Sequence, residues 1–162
     1  MLKKTTKPIK VMQICGFDTE TYGRYNRFLL GSISFNSGTE TFMDKESMKK
    51  RLLSLSGYHV FATNLMFDFF AIFDYKDDYS GMDFLFHNGN LLKVTYKKDG
   101  EKVIFLDTMN YCKQSVERMG QIINHHKLKS PDFLGRKPKN AEQMQELIEY
   151  NKRDSQISRR YM

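Results

Sequence analysis

Three short acidic motifs, spread along nearly the whole chain, limit the folds that this sequence can adopt. Asp18 and Glu20 lie in the stretch GFDTET, Asp68 ends the stretch NLMFD, and Asp154 follows Tyr150 by four residues. Four carboxylates brought to one point can hold two divalent cations against a phosphodiester, since hard cations such as Mg²⁺ and Mn²⁺ prefer oxygen ligands. We therefore expect a fold that gathers three distant segments.

The spacing inside each motif places its polar groups on one side of one element. The two carboxylates of the first motif are i and i+2 at a strand end, so both point to the same face. Asn64 and Asp68 are i and i+4 on a predicted helix, and Tyr150 and Asp154 repeat that spacing on the last helix. A phenol beside a metal-bound water can orient that water for attack. This combination predicts a nuclease that removes nucleotides from a 3′ end.

Each motif alone also has an ordinary structural explanation. Asp-Thr-Glu strings occur at many strand ends, Asn64 is a good residue for a helix N-cap, and exposed Tyr/Asp pairs are common on helices. The functional interpretation depends on the combination, because three motifs occur together in order and each lies on the type of element that it needs.

The length and the charge of the chain agree with one domain that acts on a polyanion. The 162 residues suffice for one domain with a real core, which we place at 9–162 after a flexible basic arm at 1–8. The chain has 26 Lys and Arg residues against 19 Asp and Glu residues, a net charge of +7. An acidic centre with a basic rim suits a metal-dependent enzyme acting on nucleic acid. The basic clusters are Lys3-Lys4, Lys49-Lys50-Arg51, Lys97-Lys98, Lys127 to Lys139 and Arg159-Arg160.

Cysteine usage and hydropathy predict a cytoplasmic protein. Cys15 and Cys112 have neither metal-site spacing nor a disulfide pattern, so we interpret them as reduced core thiols. No apolar run approaches the roughly 20 residues that a membrane span needs. The N-terminal segment lacks the apolar core of a signal peptide. We expect no membrane partner.

The hydrophobic pattern predicts strands followed and interrupted by helices. Turn signals at 36–38, 88–89 and 98–100 separate predicted antiparallel strands, and Asp44 and Asn140 are predicted helix caps. We predict a loop at 125–139, which contains two prolines and a glycine. The pattern favours an α/β sandwich with one central sheet. The predicted strands are 9–17, 27–35, 39–43, 58–63, 83–87, 90–97 and 102–107, and the predicted helices are 45–55, 65–74, 113–124 and 141–159.

These motifs resemble the DEDD superfamily of 3′–5′ exonucleases, in its tyrosine-bearing branch. The histidine-bearing branch would have a His five residues before the last Asp, where this chain has Glu149, followed by Tyr150. More closely, the stretch from Asp18 to Asp154 is similar to the exonuclease domain of family B DNA polymerases of the protein-primed type, found in phages and mobile elements. The resemblance implies a ribonuclease H-like fold, a mixed sheet flanked by helices.

The resemblance also implies a role for each matching residue. Thr21, Asn64 and Phe67 would contact the 3′-terminal nucleotides, and Tyr150 would orient the attacking water. The metal ligands, binding two Mg²⁺ or Mn²⁺ ions, would be Asp18, Glu20, Asp68 and Asp154.

Two further assignments leave alternatives open. Thr108 and Met109 resemble a single-strand contact in which the family has Leu at the second position, although a strand-end turn explains them equally well. Lys129 occupies the region where the protein-primed group has a catalytic lysine near the scissile phosphate. Lys127 is the alternative, because the pattern after Lys129 is imperfect.

The implied activity is metal-dependent hydrolysis that releases 5′ mononucleotides from single-stranded DNA 3′ ends. The chain ends eight residues after Asp154, at Met162, so we expect a free-standing exonuclease or the proofreading part of a DNA polymerase that acts in DNA replication. One alternative is a non-cleaving single-strand-binding or structural module of a split polymerase. Another is an RNA-trimming exonuclease, since the preference for DNA depends on the resemblance alone. The sequence indicates no oligomeric state.

Overall fold

The computed structural model describes residues 12–162 of the chain. The predicted arm at 1–8 and the start of the predicted strand at 9–17 lie outside the described residues. Within residues 12–162 there are seven strands and four α-helices. The strands are β1 (Gln13–Tyr22), β2 (Arg27–Phe35), β3 (Gly38–Phe42), β4 (Tyr58–Ala62), β5 (Met82–His87), β6 (Asn90–Lys98) and β7 (Glu101–Asp107). The helices are α1 (Lys45–Leu53), α2 (Leu65–Ile72), α3 (Val116–Ile122) and α4 (Ala141–Tyr161).

All seven strands join one mixed sheet in the order β3-β2-β1-β4-β7-β6-β5. β4 pairs in parallel with both β1 and β7, and the other neighbours pair antiparallel. The predicted α/β class with a central mixed sheet is confirmed, and the arrangement is ribonuclease H-like. Because β1, β4 and β7 run the same way, their C-terminal ends lie at the same edge of the sheet.

Alternation along β1 divides its side chains between two layers of helices. Cys15 and Phe17 are buried in the apolar core that also contains residues of α1 and α2. Gly16 and Asp18 point to the other face, toward α4. β1 continues to Tyr22, five residues beyond the predicted end, so the first two carboxylates lie inside the strand rather than after it.

The helices begin where their caps predict but differ in length from the sequence pattern. Asp44 accepts a hydrogen bond from the Ser47 amide at 2.8 Å and caps α1, and Asn140 caps α4 in the same way. α1 and α2 each end two residues early. After α2, Phe73 adopts an extended conformation and the chain enters a turn in which Asp77 accepts from the Asp74 amide. α3 is also shorter than predicted, and the loop before α4 is confirmed.

The two predicted hairpins after α2 are confirmed by their turn geometry. Asn88 and Gly89, between β5 and β6, have φ values of 48° and 77°. Asp99 and Gly100, between β6 and β7, have φ values of 51° and 83°. Asn, Asp and Gly tolerate this left-handed backbone, which matches the twist of the flanking strands.

The larger core lies between the sheet and the helices α1 and α2. Phe69 stacks on Phe73 with ring centres 4.4 Å apart and packs edge-on against Phe105. Burial raises the pKa of the Cys15 thiol to about 12, as expected for a reduced core thiol. Cys112 is only half-buried, so its predicted place in the core is wrong. Within residues 12–162, none of the helices combines the length and the apolar character that crossing a membrane requires.

A close approach of α4 to β1 depends on Gly16. A Cβ atom at this position would lie 2.4 Å from the Ser155 carbonyl oxygen and 2.7 Å from the Arg159 amide nitrogen. Only glycine allows the helix backbone to come this near, so the first residue of the GFDTET motif sets the spacing between its carboxylates and α4.

Candidate active site

The predicted carboxylates come from three elements that meet at one edge of the sheet. Asp18 and Glu20 lie in the second half of β1, Asp68 in the first turn of α2, and Asp154 in α4. α2 follows directly after β4, the parallel neighbour of β1, so the topology carries the second motif to the end of the first. α4 crosses the same strand on the opposite face.

Asp18 and Glu20 share one amide donor on α4. Asn151 Nδ2 donates to Asp18 Oδ2 at 2.7 Å and lies 3.5 Å from Glu20 Oε1. Asn151 is completely buried, and its Oδ1 has no hydrogen-bond partner among the described residues. The predicted same-face geometry of the two carboxylates therefore holds in the structure, and a helix side chain lies against both.

The sequence motif assigned Tyr150 and Asp154 to the site but not Asn151, the residue between them on α4. A signal was present. Asn151, Ser155 and Ser158 recur at helical spacing and form a buried polar stripe on α4. A polar stripe on the buried side of an amphipathic helix indicates that the helix packs on polar groups.

Asp68 reaches β1 from the face occupied by α2. Thr19 donates to Asp68 Oδ1 twice, from its amide at 2.8 Å and from its hydroxyl at 2.7 Å. Because side chains alternate along a strand, Thr19 points away from the two carboxylates that flank it. The central residue of Asp-Thr-Glu thus holds the carboxylate of the second motif, a role that sequence reasoning did not assign.

Asp154 and Tyr150 both contact one lysine. Lys127 Nζ forms an ion pair with Asp154 Oδ2 and lies 4.4 Å from the centre of the Tyr150 ring. The Tyr150 hydroxyl lies 3.3 Å from Ser130 Oγ. Asp154 Oδ1 is buried without a hydrogen-bond partner in the part of the chain that the structure describes. A buried carboxylate oxygen without a donor is costly, which makes this atom a natural point of attachment for a cation.

The structure brings Lys127, and not Lys129, to the carboxylates. The Lys129 side chain is 89% exposed, and its Nζ lies 3.7 Å from Asp132 Oδ1 in the loop. The Lys127 side chain is 21% exposed and reaches into the site. The placement of Lys129 at the site is therefore corrected. The sequence could not separate the two lysines, because the course of an irregular loop decides which one points inward.

Burial raises the pKa of the carboxyls, and their mutual repulsion adds to it. Burial, followed by the negative charge of Asp68, holds the pKa of Asp18 well above its usual range. The pKa of Glu20 rises to about 7, although the hydrogen bond from Asn151 lowers it. The pKa of Asp68 rises to about 8 in spite of the two bonds from Thr19. The cluster is thus short of positive charge.

Lys127 supplies part of the missing positive charge at one end of the acidic cluster. Burial raises the pKa of Asp154, and the charge of Lys127 opposes that rise. Burial works against the charge on Lys127, but Asp154 raises its pKa above the ordinary lysine value. The pair is ionic and partly desolvated, so removing either partner would leave an uncompensated charge.

The residue types of the site fit hard divalent cations. No group of three or more His, Cys, Asp or Glu side chains within residues 12–162 is arranged to hold one ion. Asn151 and Lys127 instead lie against the carboxylates. The donors are carboxylate oxygens, and the buried Oδ1 atoms of Asp154 and Asn151 lack partners among the described residues. Cation binding at Asp154 would therefore involve movement of Lys127.

The predicted nucleotide contacts lie beside the carboxylates. Thr21 is buried next to a register shift in the β1–β2 pairing, which follows Glu20. Asn64 has a left-handed backbone with φ of 64°, and its side chain makes no capping hydrogen bond. Asn64 and Phe67 line one open cavity of about 470 Å³. Asp107 performs the capping instead, since its carboxylate accepts from the Leu65 amide at 2.9 Å.

Thr108 and Met109 have different surroundings. The Thr108 side chain is fully buried, and its hydroxyl donates to Thr63 Oγ1 at 3.0 Å, tying the end of β7 to the end of β4. Met109 is 42% exposed, and its amide donates to Asp107 at 2.8 Å. Of the two, only Met109 has an exposed side chain.

Comparison with solved structures supports the fold, and the two sequence comparisons give no match. No family model matches the chain, and no curated protein matches it. Among solved structures, Phi29 DNA polymerase complexed with primer-template DNA and incoming nucleotides matches with a TM-score of 0.67 at 15% identity, over 93% of this chain. Phi29 DNA polymerase complexed with single-stranded DNA also matches with a TM-score of 0.67, at 14% identity, over 91% of this chain. The chain spans about 30% of the length of those polymerase chains.

Proposed function

We propose that this chain is a metal-dependent 3′–5′ exonuclease that releases 5′ mononucleotides from single-stranded DNA. One observation carries the proposal. Four acidic side chains from three distant motifs converge at the C-terminal edge of β1 and β4, together with Tyr150 and Lys127. Acidic groups that repel one another and lack sufficient positive charge are arranged for cation-assisted chemistry on a phosphate.

The fold likeness supports nucleic acid as the substrate. Two of the matching Phi29 DNA polymerase structures are complexes, one with primer-template DNA and one with single-stranded DNA. The net charge of +7 agrees with a polyanionic partner, and Lys127 of the basic stretch 127–139 lies at the acidic site. Family B polymerases are the proposed relatives, and a polymerase is a proposed partner of this chain in proofreading.

The proposed ligands of two Mg²⁺ or Mn²⁺ ions are Asp18, Glu20, Asp68 and Asp154. When bound, such ions lower the pKa of water and stabilise the charge that develops on the leaving oxygen. Asn151 orients Asp18 and Glu20, and Thr19 orients Asp68, since each donates hydrogen bonds from a buried position. Neutral donors thus fix the orientation of the proposed ligands Asp18, Glu20 and Asp68.

Tyr150 and Lys127 are the proposed groups nearest to the reacting phosphate. The Tyr150 hydroxyl orients the attacking water, and Ser130 holds that hydroxyl in place. Lys127 would place its positive charge near the phosphate oxygens if Asp154 held a cation. Its contact with the Tyr150 ring holds the lysine at the site.

The last nucleotides of the strand contact the open side of the site. Thr21 and Asn64 donate hydrogen bonds to the sugar and phosphates, while Phe67 and Met109 lie against the bases. The apolar ring of Phe67 is 40% exposed, so it is accessible for stacking on a base.

A non-cleaving single-strand-binding module is the second candidate function. The ion pair between Lys127 and Asp154 favours it, because it neutralises one carboxylate without a metal. Such a module would bind single strands equally well with and without divalent ions. An RNA-trimming exonuclease would use the same residues and would be distinguished by its substrate.

A gel assay tests the proposal. A 5′-labelled single-stranded DNA is incubated with the native chain, with Asp68→Ala and with Asp83→Asn, in Mg²⁺ or Mn²⁺. Asp83 is an exposed carboxylate on the outermost strand β5, far from the cluster, so its variant is the matched control. We expect a ladder that shortens from the 3′ end with the native chain and the control, and no cleavage with Asp68→Ala.

Uncut DNA in every lane, with binding retained, would favour the non-cleaving module. The same assay with an RNA of matched sequence separates the two nuclease hypotheses. Faster trimming of the RNA would overturn the assignment to DNA but leave the site assignment standing.

A further inference from the structure

The turn between β1 and β2 carries an aromatic side chain with no role in the site described above. Tyr25 lies at the tip of this turn and is 76% exposed. Phe70, on the outer side of α2, is 42% exposed. Large aromatic groups that stay in water cost free energy, so exposure of both on neighbouring elements indicates a surface that binds something.

Two adjoining cavities connect these aromatic groups to the site. Tyr25 and Phe70 line the cavity of about 470 Å³ that also contains Asn64 and Phe67. They line a second cavity, of about 370 Å³, together with Arg27. The shared lining makes one continuous groove, which starts at the proposed contacts for the last nucleotides and runs outward past the turn.

The charge on the rim of this groove is positive. Arg27 lines the second cavity, and Arg24 precedes Tyr25 in the same turn; both arginines are exposed. Asp74 is the acidic residue in the lining, and Lys45 pairs with it at 2.7 Å. Lys137 extends the basic rim, since its Nζ lies 4.7 Å from the centre of the Tyr22 ring at the base of the turn.

We propose that this groove, formed by Tyr25, Arg27, Phe67 and Phe70, binds the nucleotides of a single strand that lie 5′ of those at the site. Tyr25 and Phe70 stack on successive bases, and Arg24 and Arg27 pair with the phosphates. Stacking on aromatic faces tolerates any base, as an enzyme that shortens strands of any sequence requires. The inference rests on the proposed function for the identity of the substrate.

Charge complementarity decides between a nucleic acid and a protein as the occupant. Guanidinium groups alternate with an aromatic ring along the turn, and the one acidic group in the groove is already paired. This combination matches a chain of bases and phosphates, whereas an apolar protein surface would leave both arginines without partners.

Binding measured without cleavage tests the groove. Fluorescence anisotropy with 5′-labelled dT3 and dT10, in EDTA, gives the ratio of the two affinities for the native chain. We expect dT10 to bind more tightly than dT3. Tyr25→Ala and Phe70→Ala should each reduce that ratio by about 5- to 100-fold, the range expected for loss of one stacked base. Phe86→Ala is the control, because Phe86 is a half-exposed ring on β5 at the edge of the sheet, and its ratio should equal that of the native chain.

The salt dependence of dT10 binding provides a second measurement on variants that keep every aromatic group. Arg24→Gln and Arg27→Gln should each make the plot of log affinity against log salt shallower by about 0.7, the value for one phosphate contact on a single strand. An unchanged slope in both variants, or a ratio that Tyr25→Ala and Phe70→Ala leave unchanged, would overturn the proposal.

Different results would contradict the groove and the exonuclease activity. If the native chain cleaves DNA but binds dT3 and dT10 equally, the groove is wrong and the exonuclease stands. If affinity depends on length and on Tyr25 but no strand is cut in Mg²⁺ or Mn²⁺, the groove stands and the exonuclease is wrong. The groove assignment would also be overturned if the chain bound a protein partner and the variants changed none of the oligonucleotide affinities.

Discussion

The face of the sheet that packs on α1 and α2 is apolar and aromatic, whereas the face that packs on α4 is polar and closely spaced. On the first face, Phe69, Phe73 and Phe105 form a continuous aromatic contact. On the second, Ser32 on β2 donates to the Asn151 carbonyl and lies 2.9 Å from the Ser155 hydroxyl.

The apolar face contributes mainly to stability, and the polar face contributes most of the carboxyls of the candidate site. Burial of aromatic groups on the α2 face contributes most of the apolar driving force for folding. The α4 face instead holds Asp18, Glu20 and Asp154, three carboxyls whose pKa values are raised chiefly by burial, which costs stability. Only residues at the edge where the two layers meet, such as Asp68 and Thr19, belong to both.

Phe69→Ala should have the largest effect on stability, because it removes the centre of the aromatic contact. The side chain is fully buried, and its loss should lower the free energy of unfolding by about 3–5 kcal/mol. Urea denaturation of this variant beside Phe86→Ala, which removes a half-exposed ring, measures the difference. A loss below about 1 kcal/mol would mean that the α2 face does not dominate stability.

Gly16→Ala and Gly31→Ala compare the two faces with the same small change. The new methyl of Gly16→Ala meets backbone atoms of α4, so we expect a loss of about 1–3 kcal/mol and a fall in cleavage rate as Asp154 moves away from Asp18. The methyl of Gly31→Ala meets chiefly the end of the flexible Met48 side chain, with the nearest atom at 2.4 Å. Thermal unfolding and cleavage rates below the melting temperature should show a smaller loss for Gly31→Ala on both measures. Equal losses would contradict the closely spaced α4 face.

The metal-free chain should become less stable as pH rises from 6.5 to 8.5. The pKa of Asp68 is raised to about 8 by burial and by the charges of Glu20 and Asp107, although hydrogen bonds from Thr19 oppose the rise. A carboxyl whose pKa is higher in the folded chain than in the unfolded chain contributes stability below its unfolded pKa, about 4. That contribution is lost as the pH rises to its folded pKa. We expect the melting temperature in EDTA to fall by at least about 3 °C across this interval.

Asp68→Asn is the control for this pH effect, because it removes the titrating group and keeps the shape. Its melting temperature should change less between pH 6.5 and 8.5, and Mg²⁺ or Mn²⁺ should restore stability to the native chain at pH 8.5. Burial lowers the pKa of His59 and His125, so both titrate below this interval. A native melting temperature that rises with pH here would contradict the raised carboxyl pKa values.

Tyr150→Phe should have the smallest effect of these changes. Removing the hydroxyl should slow cleavage by about 10- to 100-fold, since the four carboxylates proposed to hold the cations remain, whereas Asp68→Ala should cost several orders of magnitude. Stability should stay nearly constant, because the hydroxyl has one long contact, to Ser130 at 3.3 Å. Single-turnover cleavage with Tyr75→Phe as the exposed control checks this order. A Tyr150→Phe variant as inactive as Asp68→Ala would contradict it.

Much of the fold could be predicted because its signals are local. Asn88-Gly89 and Asp99-Gly100 encode their turns directly, and the caps of α1 and α4 lie next to the helices that they start. The ends of α1 and α2 were less predictable. An apolar pattern can continue after the backbone has left the helix, as it does at Phe73.

The candidate site was predictable in its acidic residues and less so in what surrounds them. The motif spacing pointed to the carboxylates, and their convergence follows from the parallel pairing of β1 and β4. Lys127, Thr19 and Asn151 depend on contacts with residues far away in the sequence, where no local pattern distinguishes them from their neighbours.

The sequence by itself determined the class of fold, the order of its elements and the acidic residues that define the candidate site, because periodicity, turn residues and motif spacing act over a few neighbouring positions. The tertiary structure alone decided which lysine enters the site, which amide holds Asp18 and Glu20, and that Tyr25 lies beside Phe70. Those contacts join residues from separate elements, and their geometry depends on how a loop and a helix pack on the sheet.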